Sequence, residues 1–195
     1  MDPSALDDGV EAARRGDRDA FGRLWQQLSP AVAAYFRAQG VPEGEDLTSE
    51  VFLAAFRQMP RFVGSGAAFR ALVFAIAHRR QVDWWRGSAR RGNTQPWHEL
   101  SEDALTTGSA ENAALSRLGE DRVVALLREL TPDQRSVLAL RVLADLSLET
   151  TAQVLGRDIG SVKSLQHRAL ARLRRKVGAN PYPASGTGRL NTRHA

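Results

Sequence analysis

The sequence predicts an all-α protein of two small helical domains joined by a flexible linker. Three observations carry that prediction: apolar residues recur at three- and four-residue steps, no segment alternates convincingly, and a central stretch is rich in Gly, Ser, Thr, Asn and Pro. With 195 residues, 43% of them hydrophobic, the chain can fill one ordinary core or two small ones.

The elements follow in chain order. Residues 1–10, MDPSALDDGV, are acidic and read as an N-terminal tail, without the basic-then-apolar order of a signal peptide. The first domain is expected over 11–91. In RDAFGRLWQQLSPAVAAYFRAQ, the steps Phe21, Leu24, Trp25, Leu28, Val32, Tyr35 predict an amphipathic helix, or a helix pair around Pro30. EDLTSEVFLAAFRQM repeats the pattern with Leu47, Val51, Phe52, Ala55 and Phe56, and AAFRALVFAIAHRRQVDWWRGSARR with Phe69, Leu72, Val73, Ile76, Ala77 and Trp84.

GSARRGNTQPW and TTGSAEN interrupt the periodicity, so 87 to about 113 reads as a connection. The second domain is expected over 121–177. Thr131, with Pro132 next and Gln134 three residues on, gives a capping-box start with proline in the first helical position. Ser147 and Asp158 are the next N-cap candidates, with a helix over 148–155, a turn at Gly156 and a helix from 159 to about 176. A glycine turn between two helices is the helix-turn-helix pattern, whose second helix enters a DNA major groove. Residues 178–195, rich in turn formers, read as a mobile tail.

Charge is distributed in blocks. Net charge is +5, and Lys163 and Lys176 are the only lysines, so arginine, suited to bidentate phosphate and base contacts, supplies almost all the cation. Residues 1–60 carry ten acids against six arginines; 69–91 carry six arginines against Asp83; the spacer 92–120 is again acidic; 157–176 carry seven Arg or Lys against Asp158. Two basic helices separated by an acidic spacer fit a molecule that meets a polyanion at two places.

Several function classes are excluded or weakened. The absence of cysteine removes disulfides, thiolate metal sites and cysteine nucleophiles. No apolar run approaches the roughly 20 residues that cross a bilayer, so a cytoplasmic protein without membrane insertion is expected. His78, His98, His167 and His194 lack ligand spacing, the carboxylates are not clustered, and no glycine-rich phosphate loop follows a strand. We therefore expect no catalytic residues, no metal and no cofactor. A stand-alone helix-turn-helix regulator remains the alternative; it explains the second half and leaves the first without a purpose.

The segment LTPDQRSVLALRVLADLSLETTAQVLGRDIGSVKSLQHRALARLRR resembles region 4 of bacterial RNA polymerase sigma factors. GDRDAF, DLTSEVFLAAFR and FRALVFAIAHRRQVDWWR resemble their region 2. Both occur in the family's order with a short linker, as in the extracytoplasmic-function (ECF) type, and the resemblance covers about residues 11–177. It implies that the chain binds core RNA polymerase, at the β′ clamp helices and the β flap, and directs it to promoters. An anti-sigma protein is a further partner that the resemblance suggests.

On this reading the helix beginning at Asp46 faces the polymerase through Asp46, Ser49 and Glu50. Arg79, Arg80, Arg86, Arg90 and Arg91 meet the minus-10 element, duplex and then melted single strand. The loop PRFVGSGAA, 60–68, lies where the family captures a flipped base. Ser161, Lys163, Ser164, His167, Arg168 and Arg172 read the minus-35 element in duplex form, with Arg174 and Arg175 as later backbone contacts. The acidic spacer would occupy a nucleic-acid route through the polymerase. Three departures are visible: Leu165–Gln166 stands where an arginine and an apolar residue are common, Ser49 where glutamine is usual, and His78–Arg79 where an arginine–asparagine pair is common. The promoter sequence therefore cannot be copied from relatives.

Overall fold

A computed structural model describes residues 3–90 and 112–178, and every regular element among them is helical. The order is α1 (Pro3–Arg14), α2 (Arg18–Gln39), α3 (Gly44–Gln58), a 3-10 turn (Met59–Arg61), α4 (Gly66–Arg90), α5 (Asn112–Arg128), α6 (Pro132–Val142), α7 (Leu148–Leu155) and α8 (Ile159–Gly178).

Helix α2 has clear start and stop signals. The Asp17 carboxylate accepts the backbone N–H groups of Asp19 and Ala20 at 2.9 and 3.3 Å, and these bonds hold its pKa below the usual carboxylate value. Gly40 ends the helix in the left-handed region, φ 71°, and its N–H returns to the Arg37 carbonyl at 3.1 Å. Pro30 does not divide the helix into a pair. Its ring is exposed, while Leu24, Leu28, Val32, Tyr35 and Phe36 are all buried and hold the helix through the lost backbone bond.

The N-terminal residues are not a tail from Pro3 onward. Leu6, Val10 and Ala13 form one apolar stripe, exposed by 3% or less, and α1 lies directly across the start of α4. There Asp7 Oδ1 accepts the Gly66 backbone N–H. A Cβ on Gly66 would stand 2.7 Å from Leu6 Cγ and 2.8 Å from the Leu6 carbonyl carbon, so only glycine admits the crossing. Three small or medium apolar residues among Asp7, Asp8 and Glu11 gave the periodic pattern too little contrast.

Aromatic packing closes the first half around α2, α3 and α4. Phe21 meets Phe56 edge-on at 4.8 Å, Trp25 meets Phe52 at 4.7 Å, and Phe62 meets Phe69 at 5.5 Å. Such pairs contribute about 0.5–1.5 kcal/mol each beyond area burial. Deeper, the fully buried Tyr35 hydroxyl bonds His78 Nδ1 at 3.0 Å and donates to Gln81 Oε1 at 3.5 Å, joining α2 to α4. Burial pushes the Tyr35 phenol well above its ordinary value.

The second half starts earlier than the punctuation predicts. Helix α5 begins at Asn112, so residues 112–120 are helical rather than spacer; the spacer from 92 to 111 and the tail from 179 lie outside the described residues. Arg135 of α6, 5% exposed, donates to the carbonyls of Leu127, Arg128 and Leu130, which supplies partners at the C-terminal end of α5. The expected caps are present: Thr131 N–H donates to Gln134 Oε1 at 3.4 Å, Ser147 Oγ accepts from Thr150 N–H at 3.0 Å, and Asp158 Oδ1 accepts from Ser161 N–H at 2.7 Å. Gly156 turns the chain at φ 61° between α7 and α8. The two halves touch, α2 against α5 and α6, α4 against α7, and one cluster of buried side chains runs from Leu6 to Ala169.

Two outcomes follow from this packing. Gly66→Ala should lower unfolding stability by about 1–3 kcal/mol through overpacking, whereas Gly22→Ala, in open space on the exposed side of α2, should raise it by up to about 1 kcal/mol; urea melts of both variants check the opposite signs. Burial also lowers the His78 pKa, with Arg157 acting in the same direction and the Gln81 hydrogen bond opposing it. The unfolded chain takes up this proton near pH 6.5, while the folded protein resists it. The stability from neutral His78 is therefore complete above about pH 6.5 and declines as pH falls below it. Melts from pH 7.5 to 5.5 should show that decline, flattened in His78→Asn.

Candidate polymerase and nucleic-acid interface

Helix α3 turns one polar face to solvent. Asp46, Ser49 and Glu50 are all exposed on it, at three- and four-residue steps, while Thr48, Val51, Phe52 and Ala55 are buried behind them. Glu45 and Asp46 lie in the first turn, where the helix dipole favours carboxylates. The Ser49 hydroxyl donates to the Glu45 carbonyl at 3.3 Å, so its donor is satisfied within the helix. One turn further along the same face stands Leu53, 53% exposed, an apolar side chain ringed by polar ones. Its sequence signal was weak, because a lone leucine in an amphipathic helix reads as core.

Helix α4 carries the next set. Arg79 and Arg80 are exposed, and Arg80 Nη1 reaches Glu50 Oε2 at 3.3 Å, joining the α3 face to the basic face of α4. This pair is exposed on both sides, so its worth is small in water; its consequence is position. Arg86 pairs with Asp83 at 3.9 Å, and Arg90 Nε donates to the Arg86 carbonyl at 3.3 Å. Arg91 lies outside the described residues. Of the adjacent tryptophans, Trp84 packs against the core and Trp85 is 42% exposed, their rings edge-on at 5.0 Å. The loop before α4 presents Val63, 86% exposed, next to Gly64 at φ 155°, which gives that loop an apolar tip among polar surroundings.

Helix α8 divides cleanly. Val162, Leu165 and Ala169 are buried against α6 and α7, while Lys163, Ser164, His167, Arg168 and Arg172 are exposed on the other side. Ser161, half-buried at the first turn, is held by its N–H bond to Asp158. The Leu165 position has a physical account here: the side chain fills the space between Val137, Ala152 and Val162, so it faces the core and not the polar side. Gln166 beside it is half-buried, with an Oε1 that has no hydrogen-bond partner among the described residues. At the far end Arg174 and Arg175 are exposed, and Lys176 pairs with Glu129 at 2.5 Å, lowering the Glu129 pKa. This ties the end of α8 to the segment after α5.

Chemically the arrangement offers charge and hydrogen-bond donors in rows, not converging groups for proton transfer. Among the described residues no cluster of three or more His, Asp or Glu could hold a metal ion, and no helix is long and apolar enough to cross a membrane.

Comparison with known proteins agrees with both halves. The family described as Sigma-70 region 2 matches residues 23–91, and Sigma-70, region 4 matches residues 120–173. The ECF RNA polymerase sigma factor SigD of Mycobacterium tuberculosis is 34% identical over 185 residues, covering 92% of this chain and 87% of that one. The ECF sigma factor BldN of Streptomyces coelicolor is 36% identical over 168 residues, 85% of this chain and 63% of that longer one. Among solved structures, CnrH in complex with the cytosolic domain of CnrY superimposes with a TM-score of 0.62 at 25% identity, covering 91% of this chain and 99% of that one. The sigma factor RpoE of Bartonella quintana, in complex with the anti-sigma factor NepR, shares the fold with a TM-score of 0.61 at 22% identity, covering 83% of this chain and 98% of that one. Two sigma regions in their family order, on a helical frame shared with solved relatives, place the chain in the extracytoplasmic-function family of RNA polymerase sigma factors.

Proposed function

We propose that this sigma factor docks on core polymerase through α3, captures the melted minus-10 strand with α4 and the loop before it, and reads the minus-35 duplex with α8. The observation that carries the reading is the sidedness of the two basic helices. Each keeps its apolar residues inward and its cations on one open face. Arginine and lysine rows of this kind neutralise phosphates and position the protein, while Lys163, Ser164, His167 and Arg168 stand at the N-terminal part of α8, where a groove-inserted helix meets base edges.

On α3, Asp46, Ser49 and Glu50 would meet basic residues of the β′ clamp helices, and Leu53 would be the desolvated anchor at their centre. The C-terminal half would take the β flap. Val63 and the loop around it would line the pocket for an unstacked base, with Trp85 the exposed ring close to the same helix. An anti-sigma protein covering the α3 face would hold the factor inactive. The acidic spacer would occupy the nucleic-acid route in the polymerase until RNA displaces it.

The decisive experiment is run-off transcription by core polymerase, with and without this protein, on a genomic fragment library with RNA 5′ ends sequenced. New starts sharing paired upstream elements support the proposal and supply the consensus. No starts, with tight duplex binding by the isolated protein, would favour a stand-alone regulator. On such a promoter, Lys163→Ala and Arg168→Ala should each reduce initiation by about tenfold, the loss of roughly one good base or phosphate contact. Leu53→Glu should weaken core binding by at least about tenfold with unchanged thermal stability, because the side chain is already solvated; titration of labelled protein with core polymerase measures it.

A further inference from the structure

The contact between the two halves is specific. Arg128 of α5 donates from Nε and Nη2 to the Arg37 carbonyl at 3.1 and 2.9 Å, at the C-terminal end of α2. Arg70 of α4 donates to the Ala144 carbonyl at 3.4 Å, and the Gln39 amide donates to the Ser136 hydroxyl at 3.4 Å. Asp121 lies 4.0 Å from Arg37. Between these bonds His78, Gln81 and Val82 face Pro132, Ser136, Leu155 and the Asp133–Arg157 ion pair across a cleft of about 240 Å³.

This arrangement conflicts with simultaneous reading of two promoter elements. Helix α4 touches α7, and α7 touches α8; packed helices lie 8–10 Å apart, which leaves α4 and α8 roughly 20 Å from each other. Elements at minus-10 and minus-35 are separated by about 25 base pairs, or roughly 85 Å of B-form duplex at 34–36 Å per turn. With a persistence length of about 150 base pairs, the duplex does not fold back over that distance. The two reading faces are themselves open to solvent. Their separation, not their coverage, is what prevents engagement.

We propose that these contacts are an intramolecular latch that keeps the free sigma factor in a closed, promoter-incompetent state, and that polymerase binding must open it. The inference rests on the assignment of α4 and α8 to the two elements. The 21 residues from 91 to 111, fully extended, reach about 70 Å, enough for the halves to separate without unfolding either one. Because three of the bonds end on backbone carbonyls at helix or loop ends, opening leaves those carbonyls to water at modest cost.

The chain has no cysteine, so labels can be placed cleanly. Spin labels on Gln26→Cys and Gln153→Cys, both exposed, should give one narrow, short distance in the free protein. That distribution should broaden when Arg70→Gln and Arg128→Gln are combined, with the open fraction rising about tenfold per bond lost. A broad distribution in the free wild-type protein would overturn the latch. For function, Gln39→Cys and Ser136→Cys are joined by a short, reducible bis-methanethiosulfonate. The joined protein should lose run-off initiation and regain it when reductant cleaves the link; initiation at the unlinked level while joined would overturn the requirement for opening. Lack of initiation by both the reduced and the wild-type protein would instead overturn the sigma reading, and the requirement for opening with it; the spin-label distances would still decide whether the free chain is closed.

Discussion

The buried face of α2 is the constraint on which the rest of the molecule depends. Leu24, Leu28, Val32, Tyr35 and Phe36 give it apolar contacts to α1, α3 and α4, and the same helix extends beyond them to meet α5 and α6. Its length follows from local chemistry at its ends, an aspartate cap and a left-handed glycine. Burial of that face then decides where α3 and α4 lie. Consequently the acidic face of α3 and the basic face of α4 sit side by side, joined by Glu50 and Arg80.

The second half depends on a buried cation. Arg135 takes three carbonyls after and at the end of α5, which costs desolvation and is offset by hydrogen bonds to groups that would otherwise lack partners. Burial lowers its pKa, as does the neighbouring Arg128. Arg128 itself is turned the other way, to the end of α2. Two arginines seven residues apart thus serve different joints, one inside the C-terminal half and one between the halves.

A sigma factor has to hold two reading helices rigidly and yet vary the distance between them. The structure meets the first need with dense apolar packing behind each basic face, and the second with a contact made largely of arginine-to-carbonyl bonds around a partly polar cleft. Packed cores resist deformation, whereas a few solvent-accessible hydrogen bonds exchange readily for water. The proposed latch uses that difference.

The helical class, the two-part order, the caps at Thr131, Ser147 and Asp158 and the sidedness of α8 were legible in the sequence, because periodicity and capping act over three or four residues. So was the placing of Lys163, Ser164, His167 and Arg168 on an open face. What the sequence left undecided depends on partners distant in the chain. Residues 3–10 form a helix because Gly66 leaves room for them, Pro30 stays within α2 because the opposite face is buried, and Leu165 faces inward because Val137 and Ala152 are there to receive it. The exposed Leu53 and Val63 could be told from core residues only once the core was assembled. Local pattern fixes which residues share a face; only tertiary packing decides which faces remain open, since burial is a property of the neighbours and not of the residue.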